Sequence, residues 1–175
     1  MLTLDEVANY ADILAVPLAI IGVILIIRQL NLSLAESERE HLRRQKEMTL
    51  EAYGGIRGDL RKAVKNIRNA LELEDMFDKF EQKHLEMILN DKRLRGEVIK
   101  MLALINKFAV GVKHDVFNLE LVNDLAGRLF IETYNQFKPY IKHVRKDSPK
   151  FYVEYERMVK RLKQLQNKDS GQVIF

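Results

Sequence analysis

Apolar residues form one uninterrupted run near the start of the chain, from Ile13 to Ile27. Extended back to Val7, the apolar stretch is interrupted only by Asn9 and Asp12. It reaches about 20 residues, the length that an α-helix needs to cross a bilayer. A soluble core helix would show a polar face, which the run lacks. The pattern therefore predicts a transmembrane helix with a short N-terminus outside, over residues 1–28.

The pattern becomes polar behind the apolar run. Residues 29–52 are good helix formers with only a thin apolar stripe, which predicts that the membrane helix continues as a polar stalk. The segment from Tyr53 to Gly58 holds three glycines, which predicts a break in the helix. Their spacing does not fit a phosphate-binding loop.

Apolar residues then recur at intervals of three and four, as on one face of an amphipathic helix. Asn118 has the position of an N-cap, Pro139 is expected to kink or end the helix that follows, and Ser148-Pro149 predicts the start of the last helix. Together these signals predict an all-α fold with a cytoplasmic bundle of about five helices over residues 53–167 and a flexible tail at 168–175. The five apolar faces lie within residues 56–71, 73–88, 94–112, 122–141 and 152–162.

Charge is distributed unevenly around the apolar run. The chain has 29 basic and 25 acidic residues, and all of the Lys and Arg residues follow Ile27. Basic residues flank membrane helices on the cytoplasmic side. The distribution predicts a single-pass protein of the bacterial inner membrane whose C-terminal domain is cytoplasmic. A signal peptide is not expected, because its first segment would be basic.

Small residues form a stripe within the predicted span. Asp12, Ala15, Ala19 and Gly22 are spaced three and four apart, so they share one helix face, and Asp12 is the only charge between Val7 and Ile27. Small residues let membrane helices approach closely, and a charge in a span normally faces protein or water. The stripe is therefore a candidate contact between copies of the chain or the lining of a pore. The alternative is chance composition, with Asp12 at the outer headgroups.

Few residues indicate catalytic or metal chemistry. The chain has no Cys, which excludes disulfides and thiolate sites. Two Glu-x-x-His segments end at His41 and His84, but a di-iron site needs further inward-facing carboxylates. Lys113-His114-Asp115 is interpreted as a solvated turn. We expect no enzyme activity, no metal and no cofactor, and the mixing of acidic with basic residues argues against direct binding of nucleic acid.

Residues 104–163 resemble a bacterial and prophage family of uncharacterised proteins with an N-terminal membrane span, a helical stalk and a helical domain. The resemblance rests on Asn106, the run Ala109–Lys113, Glu120 to Val122, and Ile141 to Arg145. It implies a membrane topology and a mobile-element or phage-defence setting, but no reaction. With the neighbouring His114, it gives the candidate residues for bundle packing or ligand binding: Asn106, Lys113, His114 and Arg145.

The sequence thus predicts a membrane-anchored helical protein that acts by self-association or by binding a partner. Its expected partners are the lipid bilayer, further copies of the chain, and a protein or nucleotide ligand at the cytoplasmic domain. The alternative hypothesis is an oligomeric membrane effector of a phage-defence system, gated by a ligand at the cytoplasmic bundle.

Overall fold

The computed structural model describes the backbone of residues 4–74, 78 and 80–171, and the side chains of residues 19–74, 78 and 80–168. Every regular element in these ranges is helical, which confirms the predicted all-α class. The chain divides into two compact units, Met1–Arg43 and Arg44–Phe175. The elements are α1 (Leu4–Ala70), α2 (Gln82–Asn90), α3 (Lys92–Lys113), α4 (Leu119–Val122), a π-helix (Asn123–Gly127), α5 (Arg128–Val144) and α6 (Val153–Gly171).

In the first unit, the described backbone is helical from Leu4 onward, and the described apolar side chains are exposed. Every large apolar side chain between Ile20 and Leu34 is more than half exposed. By length and composition, α1 contains one segment that is able to cross a membrane, and none of that segment is buried within the chain. The large apolar side chains from Ile20 to Ile27 therefore have no apolar partner among the described residues of their own unit.

In the second unit, α1 continues without the predicted break at Tyr53–Gly58. That prediction was wrong because the glycines lie on an open face, where an added Cβ would meet nothing within 4 Å. Each glycine costs a helix about 1 kcal/mol. The opposite face buries Leu60 and Ile67, which are at most 1% exposed, and such burial is worth about 2 kcal/mol per side chain. Packing therefore outweighs the glycine penalty.

Helix α3 lies in the core of the second unit and matches the sequence prediction closely. All seven apolar residues of its predicted face, from Leu94 to Val112, are buried. Asp91 caps its first turn by accepting hydrogen bonds from the backbone N–H groups of Arg93 and Leu94. The helix packs against α2 and, more extensively, against α6.

The second predicted helix is shorter than its apolar pattern indicated. Helix α2 begins only at Gln82, so Leu73 and Phe80 lie outside it, and Met87 is partly exposed. Met76 and Phe77 lie outside the described residues. His84 explains the start of α2, because its Nδ1 accepts a hydrogen bond of 2.9 Å from the backbone N–H of Glu81. Through this bond the His84 side chain caps the first turn of α2.

The fourth predicted helix is built from three consecutive segments. Asn118 is its N-cap, as predicted, and its side chain accepts from the backbone N–H of Leu121. The π-helix Asn123–Gly127, which the sequence analysis missed, then adds a wider turn and shifts the buried face. Pro139 does not end the helix, since α5 continues to Val144.

Helix α6 begins at Val153, later than predicted. Ser148 and Pro149 lie in a turn, where the backbone N–H of Phe151 donates to the Ser148 carbonyl. Tyr152 then adopts a left-handed backbone conformation with φ of 56°, which a helix cannot include. The prediction of Ser148 as N-cap was therefore wrong. Helix α6 extends to Gly171, and the rest of the predicted tail lies outside the described residues.

Candidate functional site

The start of α6 is where the side chains proposed from the sequence come together. Residues 154–156 occupy its first turn. Asn106 and Lys113 reach them from α3, and Arg145 reaches them from the end of α5. Three of the four bundle candidates thus contact residues 154–156, and we call this set of contacts the α6 junction.

Asn106 supplies the cap that α6 lacks. The first N–H groups of a helix have no partner within the helix, and an N-cap side chain usually satisfies one of them. The residue before α6 is Tyr152, which has no short polar side chain for this purpose. The Asn106 Oδ1 atom instead accepts a hydrogen bond of 3.3 Å from the backbone N–H of Tyr155. An α3 side chain therefore fixes where α6 begins.

Lys113 forms an ion pair with the first turn of α6. Its Nζ lies 2.9 Å from Glu154 Oε1, which also receives a bond of 2.8 Å from Arg157. The hydrogen bond from Lys113 is the main cause of the lowered pKa of the Glu154 carboxyl. A negative charge at a helix N-terminus is also favoured by the helix dipole.

Arg145 joins the end of α5 to the turn that precedes α6. Its Nε donates to the Phe151 carbonyl at 2.8 Å, and its Nη1 donates to Glu156 Oε2 at 2.6 Å. Its Nη2 is buried and has no hydrogen-bond partner among the described residues. The bond from Arg145, with help from Lys160, lowers the pKa of Glu156 to about 2. The carboxylate is consequently charged at any physiological pH.

Two tyrosines lie behind this ion pair. Tyr155 is fully buried, and its hydroxyl donates to the Phe130 carbonyl at 2.6 Å. The ring of Tyr134 packs edge-on against it, with the ring centroids 5.3 Å apart. Burial raises the pKa of Tyr134, and the Glu156 carboxylate raises it further. Both phenols are therefore protonated at neutral pH and act as packing groups.

The Phe117 ring explains why residue 111, in the motif of residues 109–113, is a glycine. A Cβ at Gly111 would overlap the Phe117 ring, so only glycine leaves room for that ring. Phe117 in turn packs on Phe108, with the ring centroids 5.0 Å apart. The motif therefore shapes the loop that leaves α3.

His114 belongs to the same loop but not to the α6 junction. It is the C-cap of α3, and its side chain is exposed. The loop is held instead by α1, where the Thr49 hydroxyl accepts from the Asn118 N–H at 2.9 Å and Gln45 donates to the Asp115 carbonyl. Among the described residues, no hydrogen bond to the His114 imidazole occurs.

A cavity of about 530 Å³ lies beside the junction, and we call it the Asn106 cavity. Its wall consists of four residues of α3, two of α5 and three of the turn before α6: Ile99, Ala103, Asn106, Lys107, Tyr140, Val144, Lys150, Phe151 and Tyr152. Sequence reasoning named Asn106 but missed the cavity. No local sequence pattern signals it, because its wall is drawn from α3, α5 and the turn before α6.

A second depression of about 590 Å³ is lined by basic residues of α1 and by the π-helix. Arg61, Lys65 and Arg68 contribute from α1, Arg128 contributes from the start of α5, and Glu74 and Asp124 add negative charge. The spacing of four and three between the basic residues from α1 was the signal that places them on one face. The four basic and two acidic lining residues give the depression a mixed charge with a positive excess.

The membrane candidates are less completely described. Asp12 and Ala15 lie in α1, but their side chains are outside the described residues. Ala19 is exposed, and Gly22 is half-buried, with nothing within 4 Å of the place that a Cβ would take. Nothing in the described part of the chain packs on this part of the stripe.

A family model described as a domain of unknown function, DUF4760, matches residues 17–162. The chain belongs to the DUF4760 family. No curated protein and no solved structure matches the chain. Membership agrees with the resemblance to an uncharacterised family noted from the sequence, whereas the bacterial or prophage origin stays a prediction.

The DUF4760 match includes both units of the chain in part. It begins within the apolar run and ends at Leu162, a buried residue of α6. Asn106, Lys113, His114 and Arg145 lie inside it, as do Ala19 and Gly22. The α6 junction is thus part of the DUF4760 domain.

Proposed function

We propose that this DUF4760 protein is a single-pass protein of the bacterial inner membrane that acts by self-association or by binding a protein partner, and not by catalysis. The finer division into span, polar stalk and cytoplasmic bundle belongs to the same proposal. The observation that carries it is the exposure of the apolar side chains from Ile20 to Leu34. Lipid is the environment in which such a helix is stable.

The orientation is supported by charge. Acidic residues precede the apolar run, and every Lys and Arg residue follows it. Positive charges near a span are retained on the cytoplasmic side. The second unit, Arg44–Phe175, is accordingly cytoplasmic in this proposal.

Self-association is supported by Gly22. A small residue in a soluble helix often makes room for a neighbour in the same chain, but nothing lies within 4 Å of a Cβ built at Gly22. Small residues on a membrane helix allow a second helix to approach closely. The proposed contact is a second copy of the span.

The junction at α6 supports binding over catalysis. Asn106, Lys113 and Arg145 each use at least one hydrogen-bonding group to hold the first turn of α6, which gives all three a structural role. A rigid helical surface is a common platform for a partner.

A reporter fusion tests the topology. A reporter that is active only in the periplasm is fused behind Phe175, and a second fusion carries a reporter that is active only in the cytoplasm. We expect the cytoplasmic reporter alone to be active. Activity of the periplasmic reporter would contradict the proposed orientation.

A further inference from the structure

We propose that the Asn106 cavity binds a small amphipathic anion, that is, a molecule with an apolar or aromatic body and one carboxylate. The cavity lies wholly within residues 99–152. The inference goes beyond the proposed function, because it requires neither the membrane span nor self-association.

The walls of the cavity suit an apolar body. Ile99 is 45% exposed and Phe151 is 54% exposed, although both are large apolar side chains. Val144 and the Tyr140 ring complete the apolar surface. The volume of about 530 Å³ lies within the roughly 300–1,000 Å³ that small-molecule sites occupy.

The polar groups of the cavity suit an anion. Two lysines, Lys107 and Lys150, line it, and no acidic residue does. Neither lysine makes an ion pair with another described residue. Asn106 uses its Oδ1 on the Tyr155 N–H, which leaves its Nδ2 as a hydrogen-bond donor. Two cations and one amide donor complement a carboxylate.

The site is held in place before any ligand binds. Arg145 fixes the carbonyl of Phe151 at 2.8 Å, and Tyr152 is held in a left-handed conformation, with φ of 56°. Such a conformation is costly for a bulky aromatic residue and persists only where the surroundings impose it. Burial raises the pKa of Tyr152 to about 12, so its phenol stays uncharged beside the site. Preorganisation reduces the entropy lost on binding.

Photolabelling of the full chain in lipid nanodiscs tests the proposal. The probe is 4-benzoylbenzoate, an aromatic body with one carboxylate, and its uncharged control is 4-benzoylbenzamide. Labelled peptides are located by mass spectrometry. This distinguishes labelling at the cavity from labelling of the span by probe that is dissolved in the lipid. We expect the carboxylate probe to label residues 99–107 and 144–152, and excess 2-naphthoate to compete with it. Equal labelling by the amide would overturn the assignment of an anion.

Two matched pairs of substitutions test the charge. Lys107→Gln with Lys150→Gln removes both cations of the cavity, whereas Lys100→Gln with Lys146→Gln removes two exposed lysines elsewhere. We expect the first pair to weaken labelling by about fivefold and the second to leave it unchanged, because each exposed charge contributes modestly. An equal effect of both pairs would show a general charge effect and would overturn the site.

Filling the cavity tests the location. Ala103→Phe places a ring in the space that the probe would occupy, on an exposed position where the fold tolerates it. We expect labelling of residues 99–107 to be lost while circular dichroism is unchanged. Undiminished labelling would overturn the proposal. Cross-links between Lys107 residues of two chains, without any probe labelling, would show that a second copy covers the cavity and would also overturn it.

Discussion

Two helical regions of this chain carry similar apolar residues in opposite environments. Between Ile20 and Ile27, large apolar side chains on every face of α1 are more than half exposed. On α3, the seven apolar residues of the predicted face, from Leu94 to Val112, are buried, while Ile99 and polar residues such as Lys100 on other faces are exposed. The pattern of apolar residues around the helix, more than their number, separates the two regions.

The difference indicates what each region uses to bury apolar surface. Helix α3 finds its partners in α2 and α6 of the same unit. The run in α1 has no such partner among the described residues, and each of its side chains would gain about 2 kcal/mol on leaving water. In the proposed function, a bilayer or a second copy of the span supplies that environment.

The largest expected effect comes from charging the exposed region. Ile20→Lys with Ile24→Lys adds two charges to the proposed span, at a cost of about 3 kcal/mol each near the middle of a bilayer. We expect the variant to leave the membrane fraction, as measured by flotation on a density gradient.

The control for that variant is Leu34→Lys with Leu42→Lys, which charges two exposed leucines behind the apolar run. We expect it to float like the unmodified chain. If both variants float, or if neither does, the apolar run does not differ from the helix behind it in its contact with lipid.

Gly111→Ala is expected to destabilise the second unit by about 1–3 kcal/mol, because the new Cβ overlaps the Phe117 ring. Gly55→Ala should instead stabilise the second unit by about 0.5–1 kcal/mol. Nothing lies within 4 Å of a Cβ built there, and alanine is more favourable than glycine inside a helix. Denaturant unfolding of the full chain in detergent, followed by circular dichroism, measures both. Equal effects of the two variants would show that Phe117 does not fill the space beside Gly111.

Some structural elements of the chain were predictable from sequence patterns, and others were not. The buried face of α3 and the N-cap at Asn118 were predictable, because each depends on residues that are neighbours along the helix. The continuation of α1 through Gly54 and Gly55 was not, because it depends on core packing elsewhere on the same helix.

The α6 junction was only half predictable. The resemblance selected Asn106, Lys113 and Arg145, but no local rule reveals that all three hold one turn of α6. The late start of α6 depends on the left-handed Tyr152, and local rules favoured Ser148-Pro149 instead.

Acid should weaken the second unit through Glu156. Its pKa is lowered to about 2 in the fold, so its contribution is complete above the unfolded value of about 4.5 and is lost as the pH falls towards 2. Solvent screens part of this ion pair, and we expect a loss of about 1–2 kcal/mol. Denaturant unfolding at pH 7 and pH 3 measures it.

The matched variant Glu156→Gln should remove that part of the pH dependence and lower stability at pH 7. Glu51→Gln, at an exposed position of α1, should change neither. An unchanged pH profile in Glu156→Gln would show that the pair with Arg145 does not stabilise the fold.

The smallest expected effect concerns the stripe of small residues. Ala19→Ile should weaken self-association by about fivefold, because membrane-helix contacts are worth about 1 kcal/mol each. Ile21→Ala, on another face, should have little effect. Cross-linking in detergent measures both, and equal cross-linking of the two variants would show that the stripe is chance composition.

Asp12→Asn distinguishes between the two interpretations of the stripe, a contact between copies of the chain and the lining of a pore. A lining charge would alter ion flux through liposomes, whereas a dry contact would leave the flux unchanged. A changed flux would favour the alternative hypothesis of a membrane effector.

The central claim is that the exposed apolar run of α1 lies in lipid. Its most direct test is alkaline carbonate extraction of membranes that contain the full, unmodified chain, followed by flotation. An integral span predicts that the protein stays with the floating membranes and is released only by detergent. Release into the soluble fraction by carbonate alone would contradict the membrane span.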